Sequence, residues 1–172
     1  MSIRMVALDP ATHTGYSWLD IPVPVPPGLK PIRCQSGVWD LSVKRHEGGG
    51  MRFLRAKKHI MEMAPQFILY EEVRRHRGTS AAHVYGGLIA MIQAYGEEHG
   101  VTYVGIPVGT IKKRACGKGN CKKEVMVQTA NAAFVGPDDE AIEDDDTADA
   151  MWLLQVGLDE YGDVLAEGAP NE

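Results

Sequence analysis

Two short apolar runs, far apart in the chain, each end on an acid, and this limits the folds available. Residues 3–8 are apolar except at Arg4, and Pro10 forbids continuation, so they read as a buried strand ending at Asp9. Residues 67–70 read as another buried strand, delivering Glu71 and Glu72 at its end. Between them, residues 15–19 form a strand returning after the turn at 11–14, and a third strand lies around 32–41. Residues 22–31 hold five prolines and a glycine and must be an exposed connection, because proline cannot donate to a ladder. Helical character follows over 51–63, and Pro65 stops it. Thr79 or Ser80 can cap a long helix to about His99, with Leu88, Ile89, Ile92 and Tyr95 along it. Residues 101–106 make the fifth strand, and shorter helices fit 108–115 and 122–134. Asp145 or Asp146 opens a final helix running to about Glu160.

This order predicts an α/β domain of α+β order: a mixed five-stranded sheet, with a three-strand antiparallel meander, two parallel strands and helices on both faces. The domain is expected over residues 1–161, leaving 162–172 as an acidic, flexible end. No apolar run approaches the roughly 18 residues of a membrane span, so no membrane partner is expected. Three cysteines are too few for a disulfide framework, which points to a reducing cytoplasm.

Net charge is −5, but it is unevenly spread. Residues 138–172 hold 13 of the 23 acids and none of the 18 bases, so residues 1–137 carry a surplus of +8. Residues 44–77 contribute nine of those bases and residues 112–123 six. A basic body with an acidic end is compatible with a polyanionic partner.

The acids fall where strands end and one helix begins. Asp9 and Glu71 would lie side by side if their strands are parallel neighbours, and Asp146 and Asp149 are i, i+3 on the final helix. Four converging carboxylates need a compensating charge, and oxygen-only ligands suit Mg2+, with Mn2+ as a substitute, better than zinc. Two such ions about 4 Å apart serve phosphodiester hydrolysis. Each acid also has a plainer reading: a strand-end Asp is commonly a turn residue, and Asp144, Asp145 and Asp146 can serve the helix start by capping and dipole complementation.

The local sequences around these acids resemble those of the RuvC family of Holliday-junction resolvases, which have an RNase H-like fold. The resemblance lies in residues 7–16 (ALDPATHTGY), residues 69–73 (LYEEV) and residues 146–150 (DTADA), and in Ile111-Lys112 followed by residues 117–123 (GKGNCKK). It implies a homodimeric, Mg2+-dependent endonuclease that nicks opposing strands of a four-way DNA junction, in recombination and repair. Asp9, Glu71, Asp146 and Asp149 would then be the catalytic metal ligands. Lys112 and Lys123 would join the catalytic set by contacting phosphate or stabilising developing charge. Arg74, Arg75, Arg77, Lys113, Lys118 and Lys122 would bind the DNA backbone with them. Water held by metal would attack the phosphate in line, leaving a 5′-phosphate and a 3′-hydroxyl. Arg74 stands where the bacterial enzyme has an aromatic wedge, and phage-encoded relatives diverge to this degree. The implied setting is the cytoplasm, near the nucleoid or in a phage-infected host.

Other features read as structural. Cys116 and Cys121 lack the partners of a zinc site, and Gly117-Lys118-Gly119 lacks the spacing of a phosphate loop. His76, His83 and Glu143 have no strong catalytic pattern. Arg52, Arg55, Lys58 and His59 form one stripe, read as a solvated face with DNA contact as the alternative. Two rival functions remain: an RNA–DNA hybrid nuclease, which would draw on Glu62, and a non-catalytic junction-binding module.

Overall fold

A computed structural model of the chain describes residues 1–32, 34–74 and 78–167. It contains β1 (Ser2–Asp9), β2 (His13–Pro22), β3 (Gln35–Asp40), α1 (Met51–Met63) and β4 (Phe67–Glu72). These are followed by α2 (Thr79–His99), β5 (Thr102–Pro107), α3 (Val108–Cys116), α4 (Lys123–Phe134) and α5 (Asp145–Glu167). The strands form one sheet in the order β3-β2-β1-β4-β5. The first three are antiparallel, and β4 and β5 continue parallel to β1. This is the mixed five-stranded sheet expected from the sequence.

β1 lies at the centre of the sheet, which explains its unbroken apolar run. Met5 and Ala7 face one side, Val6 and Leu8 the other, and none is more than 1% exposed. A strand covered on both faces has no solvated side on which to alternate. The Met5 side packs against α3, α4 and α5 through Leu69, Ile111, Met126, Phe134 and Leu153. The Val6 side packs against α1 and α2 through Ile68, Ile60, Leu88 and Ile92. Side chains alternate along each strand, so Asp9 inherits the direction of Met5 and Ala7, and Glu71 that of Phe67 and Leu69. Both therefore point to the face that carries α5. Glu72 takes the opposite parity.

The second strand runs His13–Pro22, longer than the expected 15–19, and three other features differ from the sequence expectation. The third strand is shorter, Gln35–Asp40, and buries Trp39 while Val38 and Asp40 stay exposed. α5 continues past Glu160 to Glu167, because Tyr161 stacks near Phe67 with ring centroids 5.4 Å apart and Leu165 packs into the same core. Val25 and Leu29 of the proline-rich connection cover this stretch, and Gly162 lies beside Val25. Finally, Cys116 and Cys121 are joined as a disulfide with Cα atoms 6.3 Å apart, rather than standing as two unlinked small residues. The turn after α3 folds the chain back on itself there. Among the described residues no helix is long and apolar enough to cross a membrane.

Ile68 has no exposed surface and packs on the α1–α2 side of the sheet. Its truncation, Ile68→Ala, should lower unfolding free energy by roughly 2–4 kcal/mol in urea melts.

Candidate active site

The parallel pairing of β1 with β4 brings Leu8 beside Tyr70, so the next residues, Asp9 and Glu71, sit together at the same sheet edge. α5 crosses that edge from the Met5 face. Asp144 caps it, its Oδ1 accepting from the Thr147 backbone N–H at 2.6 Å. Residues 147–158 are all buried except Asp149, which is half-buried. Asp149 is thus the one polar side chain of this stretch that reaches a partly open space. Carboxylate oxygens of Asp9, Glu71 and Asp149 all lie within 4.8 Å of one another. Three segments separated by tens of residues meet at this point.

The electrostatics follow from that crowding. Burial, then the negative charge of Glu71 and a hydrogen bond between the two carboxyls, raises the Asp9 pKa well above the usual carboxylate range. Burial and the charge of Asp149 push Glu71 up to about 7, opposed by its bond to Asp9 and by the Lys112 ammonium. Burial and the charge of Asp9 push Asp149 to about 7 as well, with Lys112 again opposing. Lys112, on α3, is thus close enough for its charge to act on both Glu71 and Asp149, and Lys123 also acts on Asp149. A carboxylate group of this kind is held against its own repulsion by the fold.

Asp146 is not in the 4.8 Å group. It is half-buried near Asp145 and Lys123, and its pKa is raised by burial and by the charge of Asp145. It borders a cleft of about 340 Å³ formed by residues 10–13 of the β1–β2 turn and by Ala81, Val84 and Tyr85 of α2. Lys123 pairs with Asp145, in the first turn of α5. The remaining cations spread outward. Lys118 and Lys122 are exposed, Lys113 lines a separate cleft with Arg114 and Asp159, and Arg74 lies 3.8 Å from Glu72. Arg75, Arg77 and His76 lie outside the described residues. The stripe on α1 is not a free basic face: Arg55 pairs with Glu47 and donates to the Ser42 carbonyl, and His59 stacks on Trp39. Glu62 pairs with Lys58 and His59 and is not part of the cluster.

Tyr85 escaped the sequence reading. Its hydroxyl donates to the Glu71 carbonyl and accepts from the Val73 N–H, each at 2.9 Å, fixing the backbone that carries Glu71. A tyrosine within an apolar helix gives no local signal of that contact. Asp145, read as a helix opener, is also the partner of Lys123.

The donor set fits a hard divalent cation. All three clustered groups are carboxylates, and Asp149 Oδ1 is buried without a hydrogen-bond partner among the described residues. A buried anionic oxygen with no donor is costly unless a cation meets it.

No protein-family model matches the chain, and no curated protein matches it in sequence. The fold, however, is that of the RuvC-type enzymes, an RNase H-like arrangement. Thermus thermophilus RuvC in complex with a Holliday junction substrate superposes with a TM-score of 0.70 at 19% identity, over 95% of this chain and 97% of that one. A second Thermus thermophilus RuvC structure gives 0.64 at 20% identity, covering 88% and 90%. The yeast mitochondrial Holliday junction resolvase Ydc2 gives 0.61 at 14% identity, covering 95% and 84%.

The raised carboxyls make metal-free stability depend on pH. An acid whose folded pKa exceeds its unfolded value holds a proton in the fold that the unfolded chain has lost. Stability then falls as pH rises from about 4 to about 7 and stays lower above that. In EDTA, Asp149→Asn should therefore be more stable than the wild type at pH 8 by roughly 1–3 kcal/mol, and nearly equal at pH 4. Denaturant titrations at the two pH values read this directly.

Proposed function

We propose that the protein is a metal-dependent endonuclease that resolves four-way DNA junctions, acting as a homodimer. The observation that carries this reading is the meeting of Asp9, Glu71 and Asp149 within 4.8 Å, with an unpartnered Asp149 oxygen, on a RuvC-type fold. One of the solved structures sharing that fold was captured with a Holliday junction. The basic surplus of residues 1–137 supplies the cations that a DNA backbone requires.

In this reading Asp9, Glu71 and Asp149 hold Mg2+, or Mn2+ in its place, and Asp146 supports the site from its rim. When bound, two such ions lower the pKa of water and offset charge on the phosphate oxygens. The charge of Lys112 acts on Glu71 and Asp149, and in this reading its ammonium offsets the charge that builds on a phosphate undergoing in-line attack. Lys123 and Asp145 form a pair that can open toward an incoming phosphate. Lys113, Lys118, Lys122, Arg74, Arg75 and Arg77 are the backbone contacts proposed from the sequence. Two opposed cuts require two such sites, which a twofold dimer supplies.

A labelled four-way junction, a flap and an RNA–DNA hybrid, each with and without Mg2+, test the proposal. Paired nicks in the junction that need Mg2+ are expected, with the hybrid left intact. Asp149→Asn should reduce cleavage at least about 100-fold while junction binding in EDTA persists. Junction binding without cleavage by the wild type would instead indicate a non-catalytic binding module.

A further inference from the structure

Asp149 reaches Asp9 and Glu71 only if α5 sits at the right height along the sheet, and two residues of β2 touch its backbone there. Gly15 pairs directly with Asp9 across the β1–β2 ladder. A Cβ at Gly15 would lie 2.1 Å from the Asp146 carbonyl oxygen and 2.6 Å from its carbonyl carbon. Both are main-chain atoms of a helix and cannot swing aside as a side-chain end can. Two residues along the same strand, Ser17 is fully buried, and its hydroxyl donates to the Ala150 carbonyl at 2.7 Å.

The two contacts are matched in spacing. A two-residue step along a strand covers about 6.8 Å, and the four residues from Asp146 to Ala150 rise about 6 Å along a helix. Asp149 lies between them. We infer that Gly15 and Ser17 are positioning residues that set the height and approach of α5 on β2, and so place the Asp149 carboxylate within reach of a shared cation. The inference rests on the proposed metal site and adds the device that assembles it.

Gly157 supplies the control. A Cβ there would lie 2.0 Å from Leu69 Cδ1 and 3.1 Å from Met5 Sδ, again crowding α5 against the sheet, but two turns beyond Asp149 and against side-chain ends. Mn2+ binding to DNA-free protein, followed by electron paramagnetic resonance, is measured beside thermal melts and junction affinity in EDTA. Gly15→Ala should weaken Mn2+ binding at least about 10-fold and slow cleavage to match, with junction affinity within about twofold of wild type. Gly157→Ala should lower the melting temperature while leaving Mn2+ affinity within about twofold. Ser17→Ala adds no atom and carries the test if Gly15→Ala fails to fold; a loss of Mn2+ affinity of about threefold or more is expected.

Wild-type Mn2+ affinity in folded Gly15→Ala or in Ser17→Ala would overturn the inference. So would equal losses of affinity in Gly15→Ala and Gly157→Ala at equal loss of stability. A wild-type protein that binds no Mn2+ would overturn the metal reading, and this inference with it; binding that the variants leave unchanged would overturn only the inference.

Discussion

Mutual repulsion among Asp9, Glu71 and Asp149 is the interaction around which this molecule is arranged. Left to themselves the three carboxylates would move apart, and several elements prevent it. The parallel pairing of β1 with β4 places Asp9 beside Glu71. Strand parity turns both side chains toward α5, and α5 is buried almost all round, so it cannot retreat. Hydrophobic burial on both faces of the sheet supplies the free energy that holds the charges together.

That arrangement costs stability locally and confers chemistry. Burial and mutual charge raise Glu71 and Asp149 to about 7, and a cation that meets the cluster would relieve that crowding. Lys112 offsets part of the charge from α3, and Lys123 bears on the same region from α4. The division of charge in the chain gains a physical meaning here. The acidic final fifth of the sequence contributes Asp145, Asp146 and Asp149, and the earlier, basic part contributes Lys112 and Lys123, whose charges act on Asp149.

Much of the fold was legible because burial writes itself into pattern. The buried strands showed as continuous apolar runs, Pro10 and Pro65 marked stops, and α1 has the bounds its periodicity implied; α2 ends where expected but starts from Gly78, with no side-chain cap from Thr79 or Ser80. Asp9 and Glu71 stood out for the same reason, as the acids on which buried strands end. What could not be read was set by contacts distant in sequence. The i, i+3 spacing places Asp146 and Asp149 on one face of α5, yet only the docking of that helix on β2 decides that Asp149 joins the cluster and Asp146 borders it. The extension of α5 past Glu160 depends on Tyr161 and Leu165 meeting the proline-rich connection, while the local sequence, with Gly162 and its acids, looks like an end. Arg55 looked like part of a solvated face, and its pairing with Glu47 and the Ser42 carbonyl depends on the loop before α1. Tyr85 gave no sign at all.

The most direct test of the account is a crystal structure of the protein soaked in Mn2+, with anomalous diffraction collected at the manganese edge. The account predicts an anomalous peak coordinated by oxygens of Asp9, Glu71 and Asp149. A well-ordered pocket with no peak at saturating Mn2+, or a peak held by other residues, would contradict it.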